Sequence, residues 1–241
     1  LGPSSSHTVG PMKAAAAFAE RLVQQGLAAQ TERIAIEVYG SLALTGQGHG
    51  TFDALLLGLE GSLPEEIDLA AIAERLSRIR ARQQLQLGAR TITFNVERDL
   101  HILGGESLPK HPNGLRFHAY ASDGLELCAQ VYYSVGGGFI VTDETFGQEA
   151  AAAAEVPYPF HSAAELLAQC RREQLNIAEV VLVNEMALSG DGEDKVRARV
   201  AAVSEAMEAC IKRGLGSDGL LPGGLNVRRR APQLAAKLRV L

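Results

Sequence analysis

Apolar residues near the start of the chain recur at two different periods. Over residues 11–25 they return every three or four positions, which predicts an amphipathic helix that stops at Gly26. Over residues 34–39 apolar and polar positions alternate, which predicts a half-buried strand that ends at Gly40. Helical and strand periods in direct succession predict a domain in which helices pack on a sheet.

Further short elements of both kinds follow as far as residue 155. They are, in chain order, a turn or short helix over 40–50, a helix over 54–59, a helix from Asp68 to about Leu87, a strand over 91–96, an exposed loop over 101–114, and a β-hairpin with strands over 115–121 and 126–134. Glycines 136–138 break the second hairpin strand, which resumes over 139–141. We therefore predict an N-terminal α/β (α+β) domain with a mixed or antiparallel sheet and flanking helices.

The pattern becomes wholly helical after Val156. Helices are predicted over 162–174, 177–188 and 194–213, and a last one near Arg230. We therefore divide the chain into a domain of residues 1–155 and an all-α segment, residues 156–241, that begins a second domain. Because the chain starts without a methionine and stops inside the last predicted helix, we expect it to be part of a longer protein.

Composition and charge limit the classes of function. Hydrophobic residues make up 46% of the 241 positions, enough for a sizeable core. The formal net charge is -5 and no long basic run precedes 228–230, so nucleic acid is not an expected partner. No apolar run approaches the roughly 18 residues of a membrane span, and no signal peptide is evident, so we expect a cytoplasmic protein without a membrane partner. Three widely spaced cysteines, Cys128, Cys170 and Cys210, are predicted to be buried thiols.

The segment Gly2–Met12 concentrates side chains that can do chemistry. It holds four hydroxyls, from Ser4 to Thr8, and the imidazole of His7, directly before the first predicted helix. Backbone N–H groups at a helix start, together with rotatable hydroxyls, can surround a carboxylate or phosphate, and a ring nitrogen beside them can move a proton. A single serine or threonine that caps the helix, with Pro11 in its first turn, would explain part of the same pattern.

Two further segments place polar side chains among glycines. His49 lies in a glycine-rich stretch that leaves its imidazole accessible for proton transfer, although an ordinary surface histidine fits the same pattern. Ser134 precedes glycines 136–138, where a hydroxyl and a flexible backbone can contact a carboxylate. A β-bulge would require the same glycines.

The remaining histidines divide by their neighbours. His111 and Asn113 lie in a Pro- and Gly-rich loop, which suits either a small polar ligand or a solvated turn. His101, His118 and His161 have no such polar company, and we expect structural roles for them.

The segment Gly2–Met12 also resembles the opening signature of the bacterial iron-sulfur L-serine dehydratases (L-serine ammonia-lyases) of the single-chain type. Further stretches fit that family in the same order along nearly the whole chain, and the first motif is too long and unusual for chance agreement. The matching stretches are Tyr39–Gly46, Gly48–Thr51, Leu108–Pro109, His111–Gly114, Tyr132–Phe139, Val156–Phe160, Asn184–Glu185 and Arg229–Ala231.

The resemblance implies a reaction, a cofactor and an assembly. Members of the family convert L-serine to pyruvate and ammonia with an oxygen-sensitive 4Fe-4S cluster and without pyridoxal phosphate, and they associate as homodimers. Residues 1–155 look like their beta domain, which is similar to the allosteric substrate-binding domain of some phosphoglycerate dehydrogenases, and the helical remainder looks like the start of their alpha, catalytic domain. The cluster ligands are then expected beyond Leu241, so this chain supplies no metal ligand and is expected to be inactive alone.

The resemblance also implies roles for individual residues. One departure concerns the position after Thr51, where the family usually carries Asp and this chain has Phe52 followed by Asp53, so no role is carried over to that acid. The candidates by role are His7, His49, Ser5 and Ser6 for catalysis, Ser4, Thr8, Thr51, Ser134 and Gly136 for substrate binding, and His111 and Asn113 for regulation by L-serine.

Two alternatives of a different class stay open. The chain could be a free-standing regulatory module that binds L-serine or a similar small carboxylate without catalysis. It could also be a structural interaction domain in which the serine-rich start is only a helix cap. The three hypotheses differ in whether they predict turnover, binding alone, or neither.

Overall fold

A computed structural model describes residues 4–148, 155–221 and 225–238. The chain forms two compact units. One contains the described residues of 1–146 and 218–234, and the other those of 147–217 and 235–241. The predicted boundary at residue 155 between two domains of a longer protein stays a prediction.

The helices and strands of the described residues confirm an N-terminal α/β domain followed by a helical segment. The helices are α1 Gly10–Gln24, α2 Gly40–His49, α3 Thr51–Leu59, α4 Ile72–Arg82, α5 Val96–Asp99, α6 Ala163–Glu173, α7 Ile177–Ser189, α8 Glu193–Gly216 and α9 Ala231–Leu238. The strands are β1 Arg33–Tyr39, β2 Gln84–Leu87, β3 Arg90–Thr93, β4 Leu100–Leu103, β5 Gly114–Tyr120, β6 Glu126–Gly136 and β7 Phe139–Thr142.

Strand β1 is the centre of a seven-stranded mixed sheet. The strand order is β2-β3-β1-β5-β6-β7, and β4 also pairs with β1. Along one edge β1 pairs antiparallel with β5. Along its other edge β1 pairs first with β3, through Arg33 and Thr93, and then with β4, both in parallel. The short helix α5 separates β3 from β4, so the two strands occupy successive parts of one edge.

The core of this unit lies between one face of the sheet and the helices α1 and α3. Ile34, Ile36 and Val38 alternate along β1 and are fully buried on this face. The ring of Phe18 on α1 stacks on that of Phe117 on β5 at 5.2 Å. Each such side chain contributes about 1.5–3 kcal/mol to stability through burial. The apolar side chains of β1, which recur every two residues, and those of α1, which recur at the helical period, pack together in one core.

Three predictions along this unit are wrong in detail. The helix predicted to reach Leu87 ends at Arg82, because Gln83 adopts a left-handed conformation with φ 52°, and the next four residues form β2. Residues 101–114 were predicted to form a loop, but the first of them belong to β4, which pairs with β1. Residues 139–142 form β7, which pairs antiparallel with β6 and does not continue it.

The opposite face of the sheet carries a polar network around Glu37. The hydroxyl of Tyr39 donates to its carboxylate at 2.5 Å, and Arg116 donates to it at 3.2 Å. Burial, followed by the hydrogen bond to the Glu37 carboxylate, raises the pKa of Tyr39 to about 12. The phenol is therefore protonated at neutral pH and acts as a donor.

The second unit is helical in its described residues. The Ser162 hydroxyl accepts the amide of Glu165 at the start of α6, and Asn176 and Glu179 form a capping box at the start of α7. The side chain of Asn184 accepts the amide of Tyr158 at 2.9 Å and donates to its carbonyl at 2.8 Å. None of the helices of the described residues is both long and apolar enough to span a membrane.

Candidate functional site

The serine-rich segment at the start of the chain forms a π-helical turn, Ser5–Val9, that runs directly into α1. The hydroxyl of Ser4 accepts the amide of His7 at 3.2 Å and so caps this turn. Position Val9, which precedes α1, makes no side-chain cap. Capping therefore uses the hydroxyl of Ser4, whereas the hydroxyls of Ser6 and Thr8 have different partners.

Three hydroxyl-to-carbonyl hydrogen bonds fasten this turn to the rest of the unit. Thr51 donates to the carbonyl of His7, and Ser134 donates to the carbonyl of Ser6 at 2.7 Å. Thr8 donates to the carbonyl of His49 at 2.7 Å. Thr51 and Ser134 are fully buried. Their hydroxyl protons are thus engaged in holding the turn, and direct contact of either with a substrate stays a prediction.

The ring of His7 is held on both sides by serine hydroxyls. Its Nδ1 lies 2.8 Å from Oγ of Ser6, and its Nε2 lies 3.1 Å from Oγ of Ser41. The ring of His49 lies close by, with its centroid 4.9 Å from that of His7 and the planes inclined by 47°. The structure therefore brings the two predicted catalytic histidines together, and it adds Ser41.

Ser41 was not predicted as a site residue. It follows Gly40 at the point where β1 ends and α2 begins. The available signal was a hydroxyl at the end of a central strand, where site residues commonly collect.

The environment of His7 keeps its imidazole neutral. Burial lowers its pKa below the ordinary value of 6.5, the nearby His49 lowers it further, and hydrogen bonding to Ser41 partly opposes both. A neutral imidazole has one nitrogen that donates and one that accepts. At neutral pH the ring therefore pairs as donor with one of its two serines and as acceptor with the other.

Glycines let the turn and β6 approach closely. A Cβ on Gly10 would lie 2.0 Å from Oγ of Ser134, so the Ser134 hydroxyl reaches Ser6 only because position 10 has no side chain. Gly136, Gly137 and Gly138 all have positive φ, and the β6–β7 register shifts between Ser134 and Gly136. These glycines form a bulged turn, and carboxylate binding at Gly136 stays a prediction.

One of the two residues predicted to be regulatory, Asn113, contacts Ser134 directly, and the other, His111, contacts Asn113. The amide of Asn113 donates to Nδ1 of His111 at 3.1 Å. The Asn113 side chain donates to the carbonyl of Ser134 at 3.3 Å, and the amide of Ser134 donates to the carbonyl of Asn113 at 3.0 Å. The predicted regulatory loop and the predicted catalytic segment are therefore neighbours, and both contact Ser134.

His118 and Asp53 pair with charged groups outside this site. His101 and His161 are exposed, and Nδ1 of His118 lies 2.6 Å from the Glu126 carboxylate. Asp53, the acid displaced by one position from the family pattern, forms an ion pair with Arg80.

The three cysteines are free thiols. Cys128 and Cys170 are half-buried, whereas Cys210 is exposed, so the prediction that it is buried is wrong: it lies on α8 among other exposed side chains. Among the residues that the structure describes, no group of three or more His, Cys, Asp or Glu side chains is placed to hold a metal ion. The residues present therefore do not fit a 4Fe-4S cluster, which needs several convergent thiolates.

The fold and the site define an α/β domain whose histidine- and hydroxyl-rich site is built from the start of the chain, from helices α2 and α3, and from the end of β6. Comparison with known families identifies it further: residues 1–145 match the sequence model described as serine dehydratase beta chain. The chain belongs to this family.

Relatives of known name extend the similarity beyond the matched domain. L-serine dehydratase 1 of Escherichia coli is 43% identical over 240 residues, which cover 99% of this chain and 52% of that protein. L-serine dehydratase of Streptomyces coelicolor is 41% identical over 242 residues, which cover 99% of this chain and 53% of that protein. L-serine dehydratase of Helicobacter pylori is 38% identical over 242 residues, with coverage of 99% and 52%. The chain thus spans about half the length of these relatives.

Proposed function

We propose that this protein is an L-serine dehydratase that removes water from L-serine and releases pyruvate and ammonia, and that this chain supplies the part that positions the substrate. One observation carries the proposal. In a chain 43% identical to a protein named L-serine dehydratase, the folded structure brings His7, His49, Thr51 and Ser134, from separate segments, to one place. A structural helix cap requires only one hydroxyl and would not need this convergence.

The reaction has two requirements that these residues can help to meet, binding of the substrate carboxylate and removal of the Cα proton. The substrate carboxylate must be held, and Ser5 is exposed at the π-helical turn, where hydroxyls and backbone N–H groups can surround an anion. A weakly acidic Cα proton must also be removed by a base within hydrogen-bonding reach. Ser4 and Ser5 are our candidates for holding the carboxylate, whereas the Thr8 hydroxyl, which donates to the carbonyl of His49, can join them only by giving up that bond.

We assign proton transfer at Cα to His49 and not to His7. The ring of His49 is exposed, whereas both ring nitrogens of His7 already lie within hydrogen-bonding distance of serine hydroxyls. His7 then supports its neighbour as a neutral imidazole, with its ring centroid 4.9 Å from that of His49. Ser6, whose hydroxyl contacts His7, remains the candidate among the serines for a supporting role in proton transfer.

Loss of the substrate hydroxyl needs an acid or an electrophile that stabilises the leaving oxygen. We propose that the 4Fe-4S cluster implied by the family resemblance is held by ligands outside this chain. The proposal therefore separates substrate positioning, in this chain, from activation of the leaving hydroxyl.

The test is an anaerobic assay of pyruvate release from L-serine. It compares this 241-residue chain with a longer protein, in which the chain is extended to the length of its relatives, after cluster reconstitution. Pyruvate from the longer protein alone would support the proposal. If neither form makes pyruvate while this chain binds L-serine by calorimetry, the regulatory-module alternative replaces it. If there is neither turnover nor binding, the structural alternative replaces it.

Assembly and location are proposals that the resemblance alone supports. We propose that the protein acts as a homodimer in the cytoplasm, with L-serine as its small-molecule partner. Light scattering of the longer protein tests the assembly, and a monomeric mass at assay concentrations would contradict it.

A further inference from the structure

The loop before β5 holds the start of α2 through backbone carbonyls. The amide of Gly40 donates to the carbonyl of Glu106 at 2.8 Å, and that of Ser41 donates to the carbonyl of Pro112 at 3.2 Å. Helix α2 has no side-chain cap, so these carbonyls satisfy N–H groups that a helix start otherwise leaves unpaired. A Cβ on Gly40 would lie 2.4 Å from the Pro112 oxygen. The loop therefore fixes the backbone position of Ser41.

The same loop also holds Ser134, through Asn113, the residue that follows Pro112. Asn113 and Ser134 exchange a backbone hydrogen bond of 3.0 Å and a side-chain hydrogen bond of 3.3 Å. Both residues are buried, with Asn113 9% and Ser134 0% exposed, so water competes little for these bonds. The Ser134 hydroxyl in turn holds the carbonyl of Ser6.

Two adjacent loop residues are thus connected to the two sides of one ring. Pro112 connects through Ser41 to Nε2 of His7, and Asn113 connects through Ser134 and Ser6 to Nδ1. We propose that the segment Pro112–Asn113 positions the imidazole of His7, and that Ser41 and Ser134 are the positioning residues that connect the loop to the ring.

This connection affects which ring nitrogen of His7 carries the proton, as well as where the ring lies. A neutral imidazole donates through one nitrogen and accepts through the other, and each serine hydroxyl can do either. A shift of Ser41 relative to Ser6 changes the strength of one bond against the other, and with it the nitrogen that carries the proton. The consequence for turnover rests on the proposed function, whereas the tautomer of the ring does not.

The decisive measurement is made on the 241-residue chain and needs no turnover. Long-range ¹H–¹⁵N NMR spectra of the histidine rings report the tautomer, with the His7 signals assigned through His7→Gln. Ser41→Ala and Ser134→Ala should each change the shifts of both His7 ring nitrogens. Ser41→Thr, which keeps the hydroxyl, should return the shifts of the His7 ring nitrogens to their wild-type values.

Thr45→Ala is the matched control for Ser41→Ala. It removes a hydroxyl one turn further along α2, and that hydroxyl donates to the backbone carbonyl of Ser41. The control should leave the His7 signals unchanged. The proposal is overturned if the His7 signals in Ser41→Ala and Ser134→Ala stay at their wild-type positions while the backbone amide spectrum shows an intact fold.

An activity measurement on the longer protein separates this proposal from the proposed function. If the wild-type protein makes pyruvate, Ser41→Ala should lower kcat by about ten- to a hundredfold with a smaller change in KM, because it misplaces a group that acts in the reaction. Unchanged kcat in Ser41→Ala would overturn the positioning role and leave the dehydratase proposal intact. Absence of pyruvate from the wild type would overturn the dehydratase proposal and leave the NMR result to decide the positioning of His7.

Discussion

The hydroxyl of Ser134 donates a 2.7 Å hydrogen bond to the carbonyl oxygen of Ser6, 128 residues earlier in the chain. The contact exists because Gly10 leaves room for it: a Cβ at that position would lie 2.0 Å from Oγ of Ser134. Sheet and N-terminal turn are thus joined by a buried hydroxyl that fits only against a glycine. This relationship makes position 10 sensitive to the smallest possible substitution.

Gly10→Ala should destabilise the chain through this contact. The added methyl group must displace the side chain of Ser134, and overpacking of this kind costs about 1–3 kcal/mol. Chemical denaturation followed by circular dichroism measures the loss. Gly105→Ala is the control, because a Cβ there meets no atom within 4 Å. A loss no larger than that of Gly105→Ala would contradict the account.

His7 gives a defined pH dependence of stability. Because the pKa of His7 in the folded chain is lowered from 6.5, the unfolded chain binds a proton more readily as the pH falls. The contribution of His7 is therefore fully present above about pH 6.5 and is lost as the pH falls toward the lowered pKa. Denaturation midpoints from about pH 8 to about pH 5 should fall less steeply for His7→Gln than for wild type. Parallel curves for the two proteins would be evidence against a lowered pKa.

In the longer protein, His49→Ala should lower turnover at saturating L-serine by about 10²–10⁴-fold, the usual contribution of a general base. The absorption spectrum of the reconstituted cluster should not change, since His49 belongs to the substrate side of the proposed site. His101→Ala, at an exposed position on β4, is the control. Near-normal turnover in His49→Ala would remove this residue from the mechanism.

His111→Ala in the longer protein should change the shape of the serine saturation curve and keep most of the maximal rate. The reason is that the ring of His111 accepts a hydrogen bond from the amide of Asn113 in the predicted regulatory loop, outside the pair of His7 and His49 rings. Initial rates across a range of L-serine concentrations test this, with His161→Ala as a control from the helical unit. A large fall in maximal rate with an unchanged curve shape would place His111 in catalysis instead.

Elements whose signal is local were predictable from the sequence. The period of α1, the alternation of β1 and the hairpin of β5 and β6 are each written in consecutive residues and appear in the structure. The four residues of β2 carry too short an alternation to be separated from the helix before them. β4 was missed because its pairing partner β1 lies more than sixty residues earlier, and no local pattern records that pairing.

The candidate site was also predictable only in part from the sequence. Its residue types are visible in the sequence, since His7 and His49 lie in unusual polar or glycine-rich stretches. Their partners are not visible, because the bonds from Thr51 and Ser134 end on backbone carbonyls that every residue possesses. Ser41 was missed for the same reason: only the paths of β1 and the N-terminal turn bring it to His7.

The long sequence separation between Ser6 and Ser134 also orders events during synthesis. At about 5–20 residues per second, the ribosome adds Ser134 on the order of ten seconds after Ser6. Until β6 emerges and pairs with β5, the serine-rich turn lacks its anchor on the sheet. A segment translated long before β6 is therefore among the last parts of the domain to reach its final conformation, and a nascent chain stalled before β6 would hold the complete motif without the site.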